Sequence, residues 1–239
     1  MAFSPEETRR YARHLVLKGV GGEGQQRLRA AKVLVIGAVG LGSPVIAYLA
    51  AAGVGTIGVV DDDIVSLSNL QRQIIHTSAG QGTTKVESAK AFVAGLNPFV
   101  TIVPHVLRLS ADNAGLIAGY DLVLDGTDNF TTRKIAADAC WGAGKPLVMG
   151  AVSMFDGQVT VFAPGGASFA DLYPQDPDDV DLPACEVVGV HGAVTGVIGT
   201  LMAMEAIKLV TGVGEPLIGR LLLYDALAAR FDTMRYKAR

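Results

Sequence analysis

The chain has 239 residues, half of them hydrophobic and 18% charged, with a formal net charge of −3. That is enough apolar material for a sizeable core, and it lacks the basic excess expected of a nucleic-acid binder. Two widely separated cysteines, Cys140 and Cys185, make neither a disulfide framework nor a zinc pair and suit a reducing cytoplasm.

Residues 1–14 are charged and carry no apolar signal-peptide run. Residues 5–18 read as a helix, with Ser4 as cap and Pro5 in the first turn. A glycine-rich turn, Gly19 to Gly24, leads to a second helix ending near Arg29. From Lys32 short apolar runs alternate with helical stretches: strand 32–37, helix 41–52 stopped by Gly53, strand 56–61, helix 83–96, strand 100–105. Strands 121–125 and 146–150 then flank a helix around 130–143. This βαβαβ alternation predicts an α/β fold with a mostly parallel sheet covered on both faces.

The rhythm then breaks. DGQVTVFAP (156–164) predicts an outer, antiparallel strand, and Pro164 to Cys185 reads as a polar crossing loop without lysine or arginine. A helix over about 193–211 and a strand, RLLLYD (220–225), close the chain. The most membrane-like stretch, Gly192 to about Met204, runs into Glu205 and Lys208 and is too short to span a bilayer. The expectation is one soluble α/β domain over 1–239, with a nucleotide-binding part over about 30–155 and a C-terminal subdomain over about 156–239, and no membrane partner.

After the first strand comes Gly37-Ala38-Val39-Gly40-Leu41-Gly42, opening a helix. Phosphate recognition needs a tight turn, bare backbone amides and a helix N-terminus whose dipole favours an anion. Asp61 ends the second strand, 19 residues past Gly42, where a carboxylate would bind a ribose hydroxyl. Val39 departs from the usual middle glycine, a role that would pass to Gly40. SLSNLQRQ (66–73) then places Asn69, Arg72 and Gln73 in a polar segment, and Lys85 follows in GTTKVESAK. Two fixed cations suit a triphosphate, whose departing pyrophosphate gathers charge. Asp128 and Asn129, in DGTDN, follow another strand, where a carboxylate would sit over the ligand crevice and could hold Mg²⁺.

VLVIGAVGLGS, VDDDIVSLSNLQRQIIH, KVESA, DLVLDGTDNF, GAVSMFDGQVTVF and GVIGTLMAMEAIKL resemble the ThiF/MoeB/HesA family of adenylyltransferases, from about Arg10 to Arg230. The resemblance implies a doubly wound, Rossmann-like domain, usually a homodimer. It also implies ATP-dependent adenylation of the C-terminal glycine of a ubiquitin-like sulfur-carrier protein ending in Gly-Gly, of the molybdopterin or thiamine type. By motif position, Gly37, Gly40, Gly42, Asp61, Asp63, Asn69, Arg72, Gln73, Lys85, Asp128 and Asn129 would line the nucleotide, with Asp128 on Mg²⁺. Arg13 would reach the ATP of the opposite subunit. Arg72, Lys85, Asp128 and Arg13 form the expected catalytic set.

Many members carry two CxxC pairs that hold zinc. Here the segment matching the first reads Ala167-Ser168-Phe169-Ala170, no second pair precedes Arg239, and histidines 14, 76, 105 and 191 show no ligand spacing. No zinc is expected. Cys185, in DLPACEVVG, stands where relatives carry a cysteine linked to sulfur chemistry, or is a small side chain at a corner. Cys140 reads as core, and Met154 replaces a frequent arginine. The competing readings are adenylation of a different carboxylate, a catalytically weak partner-binding relative, and a nicotinamide-dependent oxidoreductase. The last leaves Arg72 and Lys85 without a purpose.

Overall fold

Continuous apolar runs such as VLVI and LVLD stay in water unless a sheet buries them on both faces, and the structure buries them so. The computed structural model describes residues 2–174 and 189–238. In chain order it contains α1 (Pro5–Arg10), α2 (Ala12–Leu15), α3 (Gly21–Ala30), β1 (Lys32–Ile36), α4 (Gly42–Ala52), β2 (Thr56–Val60), α5 (Lys85–Leu96) and β3 (Thr101–His105). There follow β4 (Leu122–Asp125), α6 (Phe130–Gly142), β5 (Leu147–Ser153), β6 (Asp156–Phe162), α7 (Phe169–Leu172), α8 (Gly192–Thr211), β7 (Arg220–Asp225) and β8 (Arg230–Arg235).

One sheet of eight strands in the order β3-β2-β1-β4-β5-β6-β7-β8 runs through both parts of the chain. The first five strands are parallel and the last three antiparallel. Strand order reverses between β1 and β4, which opens a crevice beyond their C-terminal ends, the usual ligand position of a doubly wound sheet. One face is buried under α4, α5 and α8, through side chains such as Leu49, Val93, Ile198 and Met202. The other packs on α6, through Ala136, Cys140, Leu34 and Val123. Cys140 is core, and burial pushes its thiol up to about 12, with the nearby Asp125 carboxylate adding to the shift.

Several expectations need correction. The single helix over 5–18 is two, broken at Tyr11, whose ring turns inward against Gly53. The glycine-rich segment is no turn throughout: helix α3 already starts at Gly21, because Gly24 packs against Val20 and Thr211. The apolar stretch continues past Met204 into a 20-residue helix of mean hydropathy 1.6, long and apolar enough by composition to cross a membrane. Here it lies over β5 and β6 and against α4. Its Glu205 is buried, pairs with Lys208 and accepts the Leu217 N–H at 2.8 Å. RLLLYD is not the last strand, since β8 pairs with it along its whole length.

Segment 167–170 is held by aromatic packing: Phe169 touches Phe130, Phe162 and Tyr173 with centroids 4.9–5.8 Å apart. Ser168 caps α7 there. The rest of the expected crossing loop from residue 175, Cys185 included, lies outside the described residues.

The N-terminal helices are tied down by Asn97, which is fully buried. Its amide donates to the Tyr11 hydroxyl at 2.9 Å and the Ala50 carbonyl at 2.7 Å, and its oxygen accepts the Phe99 N–H at 3.2 Å. Asn97→Ala strands these groups in an apolar interior and is expected to lower unfolding stability by about 2–3 kcal/mol. Urea denaturation with an unchanged m-value checks it.

Candidate active site

The glycine-rich turn sits at the mouth of the crevice. Gly37 has φ +91°, a left-handed conformation that suits glycine. A side chain on Gly42 would place its Cβ 1.8 Å from the Gly37 carbonyl oxygen, so this glycine lets α4 close on the strand. Gly40 faces Thr195 of α8 and Arg72, which would lie 3.1 and 3.5 Å from its Cβ. Gly40 is therefore a close-packing residue. Val39 has no positive φ, so valine fits there without backbone strain. Among the described residues the N–H groups of Val39, Gly40 and Leu41 donate no hydrogen bond. Three successive free donors ahead of a helix form an anion cradle.

Asp61, buried at the end of β2, accepts the Ala38 N–H at 2.8 Å and the Asp63 N–H at 2.9 Å, one on each carboxylate oxygen. A second lone pair on each oxygen stays available to a ribose hydroxyl. Burial pushes its carboxyl up, and the Lys85 ammonium pulls it back. Lys85 opens α5 with only 2% of its side chain exposed, and its Nζ pairs at 2.8 Å with Asp63, whose side chain is 69% exposed. A buried ammonium whose one salt-bridge partner among the described residues faces solvent has charge to spare for a ligand.

The SLSNLQRQ segment lies across the same opening. Arg72 is half-buried and donates to the Ser68 carbonyl at 3.2 Å. Asn69 accepts from Ser66 Oγ at 2.8 Å. Gln73 is buried with its Oε1 unpartnered among the described residues. Across the crevice, Asp125 is wholly buried. One of its oxygens accepts the Thr127 N–H and hydroxyl at 2.9 and 2.7 Å, while Oδ2 has no partner among the described residues. Arg133 of α6 donates from Nε and Nη2 to the Thr127 carbonyl at 3.1 and 2.5 Å. The loop is thus held from both sides, and Asp128 stands exposed at its tip.

The structure brings Gly37, Gly40, Gly42, Asp61, Asp63, Lys85, Arg72, Asn69, Gln73 and Asp128 to the C-terminal end of the parallel strands. Asn129 stands beside them and also serves the helix behind it, its Oδ1 capping α6 by accepting the Thr132 N–H at 2.8 Å. Arg13 is not brought to the site within this chain. It is exposed on α2, next to Tyr11 and His14, which pack at the far end of α4 through Gly53 and through Gln25 to Ala52. Sequence reasoning misses Arg133 and His76, both of which hold backbone carbonyls of the site; IIH (74–76), inside the matching motif, is the signal for the second.

Among the described residues no three His, Cys, Asp or Glu side chains gather as a metal cage. Mg²⁺ needs no such cage where substrate phosphates supply most ligands, and one carboxylate such as Asp128 fits that manner of binding.

Sheet order and switch-point crevice define a doubly wound α/β protein, with a turn of unpaired N–H groups and two cations at the crevice. The chain belongs to the ThiF family, whose pattern it matches over residues 11–239. It is 50% identical to the probable adenylyltransferase/sulfurtransferase MoeZ of Mycobacterium tuberculosis, over 98% of this chain and 61% of that protein. It is 46% identical to the sulfur carrier protein adenylyltransferase of Thermus thermophilus, over 97% of this chain and 88% of that one. The crystal structure of PaaA superposes with a TM-score of 0.84 over 98% of this chain and 75% of that one, at 21% identity, a likeness of fold alone.

Proposed function

We propose that this chain adenylates, with ATP and Mg²⁺, the C-terminal glycine carboxylate of a ubiquitin-like sulfur-carrier protein ending in Gly-Gly. It would act in the cytoplasm, as a homodimer whose Arg13 serves the neighbouring subunit, in molybdopterin- or thiamine-type sulfur transfer. The observation that carries this reading is the gathering of three free N–H groups, Lys85, Arg72 and Asp128 around one crevice. The names of relatives that match most of this chain support the same chemistry.

A carboxylate oxygen of the terminal glycine attacks the α-phosphorus. The bond from that phosphorus to the bridging oxygen of the β-phosphate breaks, and its electron pair leaves with pyrophosphate. The attacking group is already ionised, so no general base is required. The chain's work is positioning and charge neutralisation. The turn's N–H groups hold phosphate oxygens, Asp61 orients the ribose, and Arg72 and Lys85 balance the charge gathering on pyrophosphate. Bound Mg²⁺, held by Asp128, would supply further neutralisation.

ATP–pyrophosphate exchange tests the reading. Exchange should require Mg²⁺ and a small protein with an intact Gly-Gly end, and should disappear in Asp128→Ala. ATP binding without exchange for any Gly-Gly protein would sink it.

A further inference from the structure

His76 is not among the residues assigned to the nucleotide, yet it is 6% exposed and both ring nitrogens are engaged. Nε2 is 2.9 Å from the Ala38 carbonyl oxygen and Nδ1 is 2.9 Å from Ser88 Oγ. A carbonyl only accepts, so Nε2 carries the proton, and Nδ1 accepts from the Ser88 hydroxyl. The Ala38 carbonyl thereby fixes the tautomer, and the Ser88 hydroxyl on α5, which can donate or accept, donates to Nδ1 and steadies the ring from behind.

Ala38 is the second residue of the phosphate turn, and the fold grips its peptide groups at both ends. Its N–H donates to Asp61 and its carbonyl accepts from His76. The Ala38–Val39 peptide is trans. In a trans peptide the N–H points opposite to the carbonyl. Fixing the carbonyl on His76 therefore turns the Val39 N–H away from the imidazole, where it has no partner among the described residues.

We propose that His76 is a positioning residue for the nucleotide's phosphate chain, which holds the Ala38 carbonyl back and so aims the Val39 N–H into the crevice. The inference rests on the nucleotide reading above. It explains how a turn with valine in its middle still presents a donor: the peptide is oriented from behind by an imidazole instead of being freed by a glycine. The same imidazole ties the turn to α5, three residues after Lys85, so the cation and the cradle share one support.

The test compares ATP and adenosine binding by calorimetry in wild type, His76→Phe, His76→Gln and Ser88→Ala. His76→Phe keeps the ring volume without the donor, and should weaken ATP about tenfold, the worth of one hydrogen bond donated to a phosphate oxygen. Adenosine, which has no phosphate, should bind as before. In pyrophosphate exchange the loss should appear as a raised KM for ATP with kcat kept. His76→Gln, whose amide can still donate to Ala38, should recover most of the ATP affinity. Ser88→Ala removes the second anchor of the ring, loosens its hold on Ala38 and should weaken ATP by a smaller factor, again sparing adenosine.

Equal loss of ATP and adenosine in His76→Phe would mean that the ring serves packing alone, and the inference falls. Unchanged ATP affinity overturns it as well. If His76→Phe does not fold, Ser88→Ala decides: a loss confined to ATP supports the inference, and an equal loss or none overturns it. A wild-type protein that binds no ATP refutes the nucleotide reading itself, a result separate from any change between variants.

Discussion

Lys85→Met is expected to lower pyrophosphate exchange by about 10²–10³-fold, or roughly 3–4 kcal/mol of transition-state stabilisation, while the protein stays folded. The side chain is almost wholly enclosed, so methionine replaces its stem in volume and leaves no cavity. Its salt-bridge partner Asp63 is mostly in solvent and tolerates the loss of the ammonium. The α5 cap is untouched, because Thr84 and not Lys85 accepts the Glu87 N–H. What disappears is a fixed positive charge beside Asp61 and the cradle. The Asp61 carboxyl, already pushed up by burial, then rises further, because the ammonium was pulling it down. Lys85→Arg should rescue little, since the longer, planar guanidinium does not fit a slot built for a linear stem. A drop of less than about tenfold in Lys85→Met, with ATP affinity intact, would remove Lys85 from the catalytic set.

Gly42→Ala is expected to abolish ATP binding and to cost more than about 3 kcal/mol of stability. The added Cβ would lie 1.8 Å from the Gly37 oxygen and 2.9 Å from its carbonyl carbon, both backbone atoms that no rotamer change can move aside. Relief requires α4 to slide away from β1, which opens the turn and strips the buried contacts of Val45, Ile46 and Leu49. A control lies on α8, where a methyl group on Gly196 would meet nothing within 4 Å. Gly196→Ala should raise stability by about 0.5–1 kcal/mol, the helix-interior gain of alanine over glycine. Thermal unfolding of the two variants side by side, with ATP titrations, checks both signs. A Gly42→Ala protein as stable as Gly196→Ala would mean that the helix does not seat as described.

The parallel half of the sheet is legible because a strand buried on both faces has to be an unbroken apolar run, and KVLVI, TIGVV and LVLD are such runs. RFDTMR is not: β8 is exposed along its whole length, and only its pairing with β7 makes it a strand. The glycines of α3 argue against a helix on propensity, but tertiary packing of Gly24, Gln25 and Leu28 prevails. The site residues are legible where they follow a strand directly, since the C-terminal end of a parallel strand is a fixed address for a ligand. His76 and Arg133 are not, because each acts on a carbonyl distant in the chain or across a loop, and no spacing rule announces that contact. Asn129 is ambiguous for a different reason: the residue that suits a nucleotide-lining loop also suits a helix cap, and the start of α6 right behind it takes up its Oδ1.

The position of α8 bears on how the chain is made. It covers β5 and β6 and braces α4, yet it is the last helix of the described chain, ending at Thr211. During synthesis the preceding strands emerge first and wait with one apolar face bare. The ~58 residues from the end of β5 to the end of α8 take roughly 3–12 s to add at ordinary elongation rates. For that interval Val148 faces water, joined by Val159 and Val161 once β6 is made, and the nascent chain is a substrate for any chaperone that binds exposed apolar strands. Nascent chains stalled before α8 should accordingly be captured by such chaperones, and chains released with α8 in place should not.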